Sequence, residues 1–271
     1  MCRLLAFKSS IPTQIHQALH DAENAMVIQS RKHQDGWGVG FYVGEELFVV
    51  KRAYAAFKDF NFPQLTKAIV SHNIVCHVRR ATVGMHKKTE NCHPFRFGKI
   101  LCAHNGTIQR FKAMQLLMLN EISQDLHKHI LGDTDSEYVF HLFLTYLLKE
   151  TDEPDTCKDL RIFEKALIKT IKKIDELCIN VGAKRQSSLN FIITNGHIML
   201  ATCRGRELYY TEHHGAMGIK HEPEVAEKRK EIEKYFLISS EKISKSEYWE
   251  KVPDNALIMV DDKVNFDVVP L

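Results

Sequence analysis

Four segments of this chain carry side chains whose types and spacing could do chemistry. At Cys2, removal of the initiator Met would place a thiol beside a free α-amine. An α-amine titrates at about 7.7 to 8.0 and a thiol at about 8.5, so one residue could supply both nucleophile and base near neutral pH. A small apolar residue opening a buried strand would also account for Met1-Cys2. In Cys76-His77-Val78-Arg79-Arg80-Ala81-Thr82, strand alternation sends Arg79 and Arg80 to opposite faces and returns Cys76, Val78, Arg80 and Thr82 to one side. That pattern suits a carboxylate-binding arginine beside a sheet-end threonine, or an arginine pair reaching for solvent.

The third segment, Ala103-His104-Asn105-Gly106-Thr107, reads as a strand running into an Asn-Gly hairpin turn. It also offers the Asn105 side-chain amide and the Gly106 N–H as neutral donors to a developing oxyanion. In the fourth, Gly132-Asp133-Thr134-Asp135-Ser136-Glu137, Thr134 and Glu137 fit a capping box. Asp135 suits the first turn of that helix, and its carboxylate could receive the α-ammonium of an amino-acid substrate. His127, His129, His213 and His214 lack tetrahedral metal spacing, so no metal site and no cofactor is expected.

The elements that must hold these residues follow from the apolar patterning. Strands are expected at residues 2–8, 39–43, 47–52, 74–81 and 99–103, and helices at 13–30, 63–70, 136–149 and 159–178. Further strands are expected at 189–194 and 198–203, joined by Asn195-Gly196, and at 207–210, 235–238, 257–260 and 264–268. The charged stretch 222–234 reads as a solvated loop or short helix. Strands, then helices, then strands predict packed sheets covered by helices in an α+β layered fold.

Composition removes several classes of function. Lys and Arg number 37 against 34 Asp and Glu, so the basic excess needed for nucleic-acid binding is missing. No apolar run reaches the roughly 18 residues needed to cross a bilayer, and the N-terminus lacks a signal peptide's apolar core. Seven cysteines, an odd number with no Cys-x-x-Cys, fit neither a disulfide framework nor a zinc ribbon and point to a reducing cytoplasm.

Taken in order, Cys2 after Met1, Gln34-Asp35-Gly36-Trp37-Gly38, His77-Val78-Arg79-Arg80-Ala81-Thr82, His104-Asn105-Gly106 and Thr134-Asp135-Ser136-Glu137 resemble the class II glutamine amidotransferase domain of the N-terminal nucleophile hydrolases. Ser188-Leu189-Asn190-Phe191, Ser239-Ser240-Glu241, Tyr248-Trp249 and Val252-Pro253 are similar to its small stand-alone members. Those include a glutathione-degrading subunit and the γ-glutamyl hydrolase of ergothioneine synthesis. The large synthases carry Arg-Gly where Lys32-His33 stand, whereas His33-Gln34-Asp35-Gly36-Trp37-Gly38 fits the stand-alone pattern.

The resemblance implies a four-layer αββα sandwich of mostly antiparallel sheets. It implies one domain over residues 1–271, with 188–271 supplying strands that complete the sandwich. Cys2 would be the nucleophile, its amine the base, and Asn105 and Gly106 the oxyanion hole. Arg79, helped by Thr82, would hold the substrate α-carboxylate and Asp135 its α-ammonium. The implied activity is hydrolysis of a γ-glutamyl amide, such as glutamine or a γ-glutamyl peptide, through a thioester. Two other readings are an ammonia-supplying glutaminase subunit of a separate synthase and a non-catalytic γ-glutamyl-binding partner; a partner subunit or homo-oligomer is compatible with each. A papain-like pairing of His104 with Asn105 is disfavoured, because adjacent turn residues cannot serve as both base and orienter.

Overall fold

The structure is a computed structural model that describes residues 2–81, 87–214, 234–245 and 248–271. Strand β1 (Arg3–Thr13) opens the chain. It is followed by α1 (Met26–Gln29), β2 (Gly36–Val43), β3 (Glu46–Arg52), α2 (Asn61–Ala68), β4 (Ser71–Arg79), β5 (Phe95–Phe97) and β6 (Ile100–Thr107). Four helices come next: α3 (Phe111–Glu121), α4 (Gln124–His127), α5 (Asp135–Leu147) and α6 (Leu160–Asn180). The remaining strands are β7 (Ser188–Thr194), β8 (Met199–Cys203), β9 (Tyr209–His214), β10 (Lys234–Ser239), β11 (Glu250–Lys251), β12 (Ala256–Val260) and β13 (Phe266–Pro270).

The strands form two sheets, ordered β11-β9-β10-β1-β4-β2-β3 and β13-β12-β8-β7-β6-β5, with antiparallel pairing throughout. Alternation along β1 shows how they stack. Leu4 and Ala6 enter the layer between the sheets with Val75, Leu101, Ala103 and Phe236. Leu5 and Phe7 face outward onto a layer holding Trp37, Phe62 and Ile74. On the far side of the second sheet, Phe140, Phe143 and Phe163 of α5 and α6 cover Phe191 and Ile193. The architecture is therefore the four-layer αββα sandwich of the α+β class. A strand buried on both faces explains why β1 begins as an uninterrupted apolar run.

Tertiary pairing overrides several local expectations. Ser9, Ser10 and Pro12 do not end β1. The strand bulges between Lys8 and Thr13, Ser9 Oγ and Thr13 Oγ1 donate to Ile11 O, and Ser10 Oγ accepts from Lys234 N. The helix expected over 13–30 is instead a π-turn at Gln17–Asp21 followed by α1, because Asn24 N donates to Ile243 O and holds the intervening chain open. His104-Asn105-Gly106 is not a turn. β6 continues to Thr107 because β7 offers Asn190 opposite Asn105 and Leu189 opposite Gly106. Strand β4 stops at Arg79, β9 lies later than residues 207–210, and α3 was not anticipated. Of the charged stretch, residues 222–233 lie outside the described residues, while Lys234 opens β10.

The Gln34–Gly38 motif contributes a buried polar anchor. Trp37 Nε1 donates to Asp59 Oδ2 at 2.9 Å, and Arg52 and the Asn61 N–H donate to Asp59 Oδ1. Replacing Asp59 with Ala leaves the buried indole N–H unpaired, which costs about 1 to 3 kcal/mol beyond the lost bonds. Asp59→Ala is expected to lower the urea midpoint without changing the slope of the transition, and an unchanged midpoint would contradict this role.

Candidate active site

Three strand ends and one helix start meet above the layer between the sheets. Cys2 immediately precedes β1. Arg79 ends β4 on the face of Val75 and His77, and Asn105 in β6 shares the face of Leu101 and Ala103. Asp135 is the first residue of α5. Cys2, Arg79, Asn105, Gly106, Asp135 and Arg206 all line one cavity of about 290 Å³. Thr82 lies outside the described residues.

The thiol is held by the end of β4. Arg80 N donates to Cys2 Sγ at 3.3 Å, and Sγ lies 3.5 Å from Arg80 O as donor. Behind it, the Ser239-Ser240-Glu241 string clamps the start of β1. Leu4 N donates to Ser240 Oγ at 3.1 Å, and Arg3 bridges Cys2 O to the Glu241 carboxylate. Asp35 fixes the other partner: its N–H donates to Arg79 O, while its carboxylate accepts from Ala81 N and pairs with Lys87 at 2.6 Å. Burial pushes the Asp35 carboxyl up, but Lys87 and the Ala81 N–H outweigh it and hold the group below the ordinary carboxylate range. Because β4 has ended, strict alternation lapses, and Arg80 reaches the cavity as well as Arg79.

Donors line the opposite wall. The Asn105 side-chain amide has no hydrogen-bond partner among the described residues, although the residue is 5% exposed. Gly106 is required by close approach, since a β-carbon there would run into the Ser188 carbonyl and the His104 ring. His104 is occupied elsewhere. Its Nε2–H donates to Ser188 O at 3.0 Å, so Nδ1 must accept from Ser136 Oγ at 2.8 Å. Burial pushes its pKa down and leaves a neutral ring stacked on Phe191. Both nitrogens thus bind β6 to β7 and α5, leaving neither for a papain-like base.

Asp135 accepts from Ile108 N and Ser136 N, each at 2.8 Å, so its carboxylate is fixed at the helix start. Thr134 caps α5 by accepting from Glu137 N, but the reciprocal half of the expected capping box is missing. Glu137 turns to the N–H groups of Leu131 and Gly132 and shapes the preceding loop. Two wall residues had no signal in the sequence motifs: Arg206, in a turn after β8, and His93, which precedes a cis proline. The His93 ring packs tilted against His77, with centroids 4.2 Å apart, and burial pushes both pKa values strongly down, that of His77 to about 3. The imidazoles that line the cavity, His93 and His104, are therefore uncharged near neutral pH. The described residues with the makings of a metal site lie elsewhere. His16, His20 and Asp21 bring ligand atoms within 4.8 Å of one another, but His16 already contacts Thr66 and His20 contacts Asp21.

A sandwich with helices on both outer faces and a cysteine at the head of its central strand is the form of an N-terminal nucleophile hydrolase. The family model "Glutamine amidotransferases class-II" matches residues 1–267, and the chain belongs to that family. It is 30% identical over 226 residues to "Probable glutamine amidotransferase DUG3" of Saccharomyces cerevisiae, a match spanning 74% of this chain and 63% of that protein. It is 26% identical to the "Gamma-glutamyl-hercynylcysteine sulfoxide hydrolase" of Mycolicibacterium smegmatis, over 97% and 96% of the two chains. Among solved structures, the glutamine aminotransferase class-II domain protein of Silicibacter pomeroyi superposes with a TM-score of 0.67 at 18% identity, covering 100% of this chain and 99% of that one. This last likeness concerns the fold.

Cys2 is half-buried in the cavity wall, and partial desolvation there pushes its pKa up. The Arg80 N–H and the Arg79 guanidinium oppose the rise. A raised pKa leaves the thiol protonated at pH 7 and turns on reactivity as pH rises. Alkylation of Cys2 by iodoacetamide, followed by intact mass, should reach half its maximal rate at a higher pH than for a free cysteine. In Arg79→Met the half-point should move higher still; a shift to lower pH would exclude this electrostatic coupling.

Proposed function

We propose that this chain hydrolyses the amide bond of a γ-glutamyl compound, with Cys2 as an N-terminal nucleophile. The observation that carries the reading is the convergence of a thiol, a guanidinium, a carboxylate and two neutral donors on one small cavity. The glutamyl group of the substrate has a carboxylate and an ammonium at one end and the scissile carbonyl at the other. Arg79, with Thr82, holds the first, Asp135 holds the second, and the γ-carbonyl then meets Cys2.

Removal of Met1 frees the Cys2 amine, which takes the thiol proton. The thiolate attacks the γ-carbonyl carbon, and the resulting oxyanion accepts hydrogen bonds from the Asn105 amide and the Gly106 N–H. As the tetrahedral centre collapses, the C–N bond breaks and the amine returns its proton to the leaving nitrogen. Water, deprotonated by the same amine, hydrolyses the thioester and releases glutamate. In this account the chain acts as a single domain on a small-molecule substrate, alone or with a partner subunit or a second copy, and the steps use no cofactor. All seven cysteines are free thiols, which supports a cytoplasmic setting.

The test uses protein whose intact mass verifies loss of Met1. Glutamate should be released from glutamine or from members of a γ-glutamyl peptide panel. Cys2→Ala should abolish turnover, and a glutamine-like electrophile should form a covalent adduct at Cys2 alone. Asn105→Ala should lower kcat by about 100- to 1,000-fold, the usual loss for one oxyanion donor. Full turnover by Cys2→Ala would sink the proposal.

A further inference from the structure

The charges around the cavity exceed what a γ-glutamyl group needs. Arg79, Arg80 and Arg206 line it, opposed by the Asp135 carboxylate, and the buried rings of His93 and His104 remain neutral. A γ-glutamyl group brings one carboxylate for Arg79 and one ammonium for Asp135. If the leaving group were ammonia, two guanidiniums would face the substrate with nothing to bind.

Arg206 stands out between the two. No hydrogen bond or ion pair engages its guanidinium among the described residues, and its Nε is buried without a partner. An unpaired buried donor costs about 1 to 3 kcal/mol and is normally satisfied by some partner. Its backbone is anchored beside the donor wall: Asn190 Nδ2 donates to Arg206 O at 3.1 Å, and Asn190 lies opposite Asn105 in the β6–β7 pair. Arg206 also borders a shallower depression of about 550 Å³. The other charges there are already engaged, Lys251 with Glu207 at 2.7 Å and Asp254 with Gly205 N at 2.7 Å. A leaving group that extends from the scissile nitrogen toward this depression would pass the Arg206 guanidinium.

We infer that Arg206 is a specificity residue that binds a carboxylate on the leaving group, so that the preferred substrates are γ-glutamyl conjugates of amino acids or peptides with a free acid. Arg80, exposed at the rim, adds positive potential that favours approach of such anions. This inference rests on the amide-hydrolase reading and names the substrate class of the same site. It adds no step to the reaction: the acid-bearing amine departs with the proton returned by the Cys2 amine.

The test compares γ-glutamylglycine with γ-glutamylglycinamide, whose leaving groups differ by a carboxylate against a carboxamide. For the Met1-processed wild type, kcat/KM should favour the acid by about 10- to 100-fold, the worth of one charge-assisted hydrogen bond. In Arg206→Gln that preference should fall toward unity, mainly through KM for the acid. Any intrinsic difference between the two amines cancels in the wild-type-to-variant comparison. Equal wild-type rates on both compounds, or a variant that loses both activities in proportion, would overturn the assignment. Release of glutamate from glutamine but from neither conjugate overturns it while leaving the hydrolase reading intact; no release from any γ-glutamyl compound overturns both.

Discussion

Face-to-face packing of two antiparallel sheets is the constraint on which the rest of this molecule depends. Because side chains alternate, burial of Leu4, Val75 and Leu101 between the sheets also decides which later residues on β4 and β6 point into that layer. Arg79 and Asn105 follow the parity of Val75 and Leu101, and at the sheet ends the apolar layer gives way to a polar cavity. A register slip of one residue in either strand would turn these groups out toward the helices. The same pairing that stabilises the core therefore orients the site.

Around that cavity, charge is managed by burial. The imidazoles of His77, His93 and His104 lie behind the arginines, and desolvation keeps all three rings neutral. Protonated imidazoles would repel the guanidiniums beside them, so their low pKa values allow several arginines to share a confined space. Backbone groups do much of the remaining positioning. Arg80 holds the thiol through its peptide, Asp35 ties the end of β4, and the Ile108 and Ser136 N–H groups fix Asp135. These contacts stay rigid at low entropic cost because the backbone is already ordered by the sheets.

The apolar run that opens β1 and the long apolar faces of α5 and α6 made the layered fold legible in the sequence, and the ordered motifs led to residues that share one cavity. What stayed hidden was nonlocal. Asn105-Gly106 has the composition of a hairpin turn, and only β7 across from it shows that the pair lies within a strand. Thr134 and Glu137 have the spacing of a capping box, yet the loop before the helix claims the glutamate. Residues 13–30 have helical periodicity, but a backbone bond to Ile243 interrupts it. Arg206 had no local signature, because a single arginine in a turn becomes significant only when folding sets it beside Asn190.

The position of β1 bears on how the chain reaches this state. The strand sits between β4 and β10, and Ser240 and Glu241, just beyond β10, secure its first residues. The strand thus has one neighbour close to it in sequence and another far downstream. Loop closure over such a distance is slow, and until it occurs an apolar strand presents an unpaired edge to other chains. Completion of the cavity accordingly awaits that distant pairing, and a folding chain depends on protection of the edge until it forms.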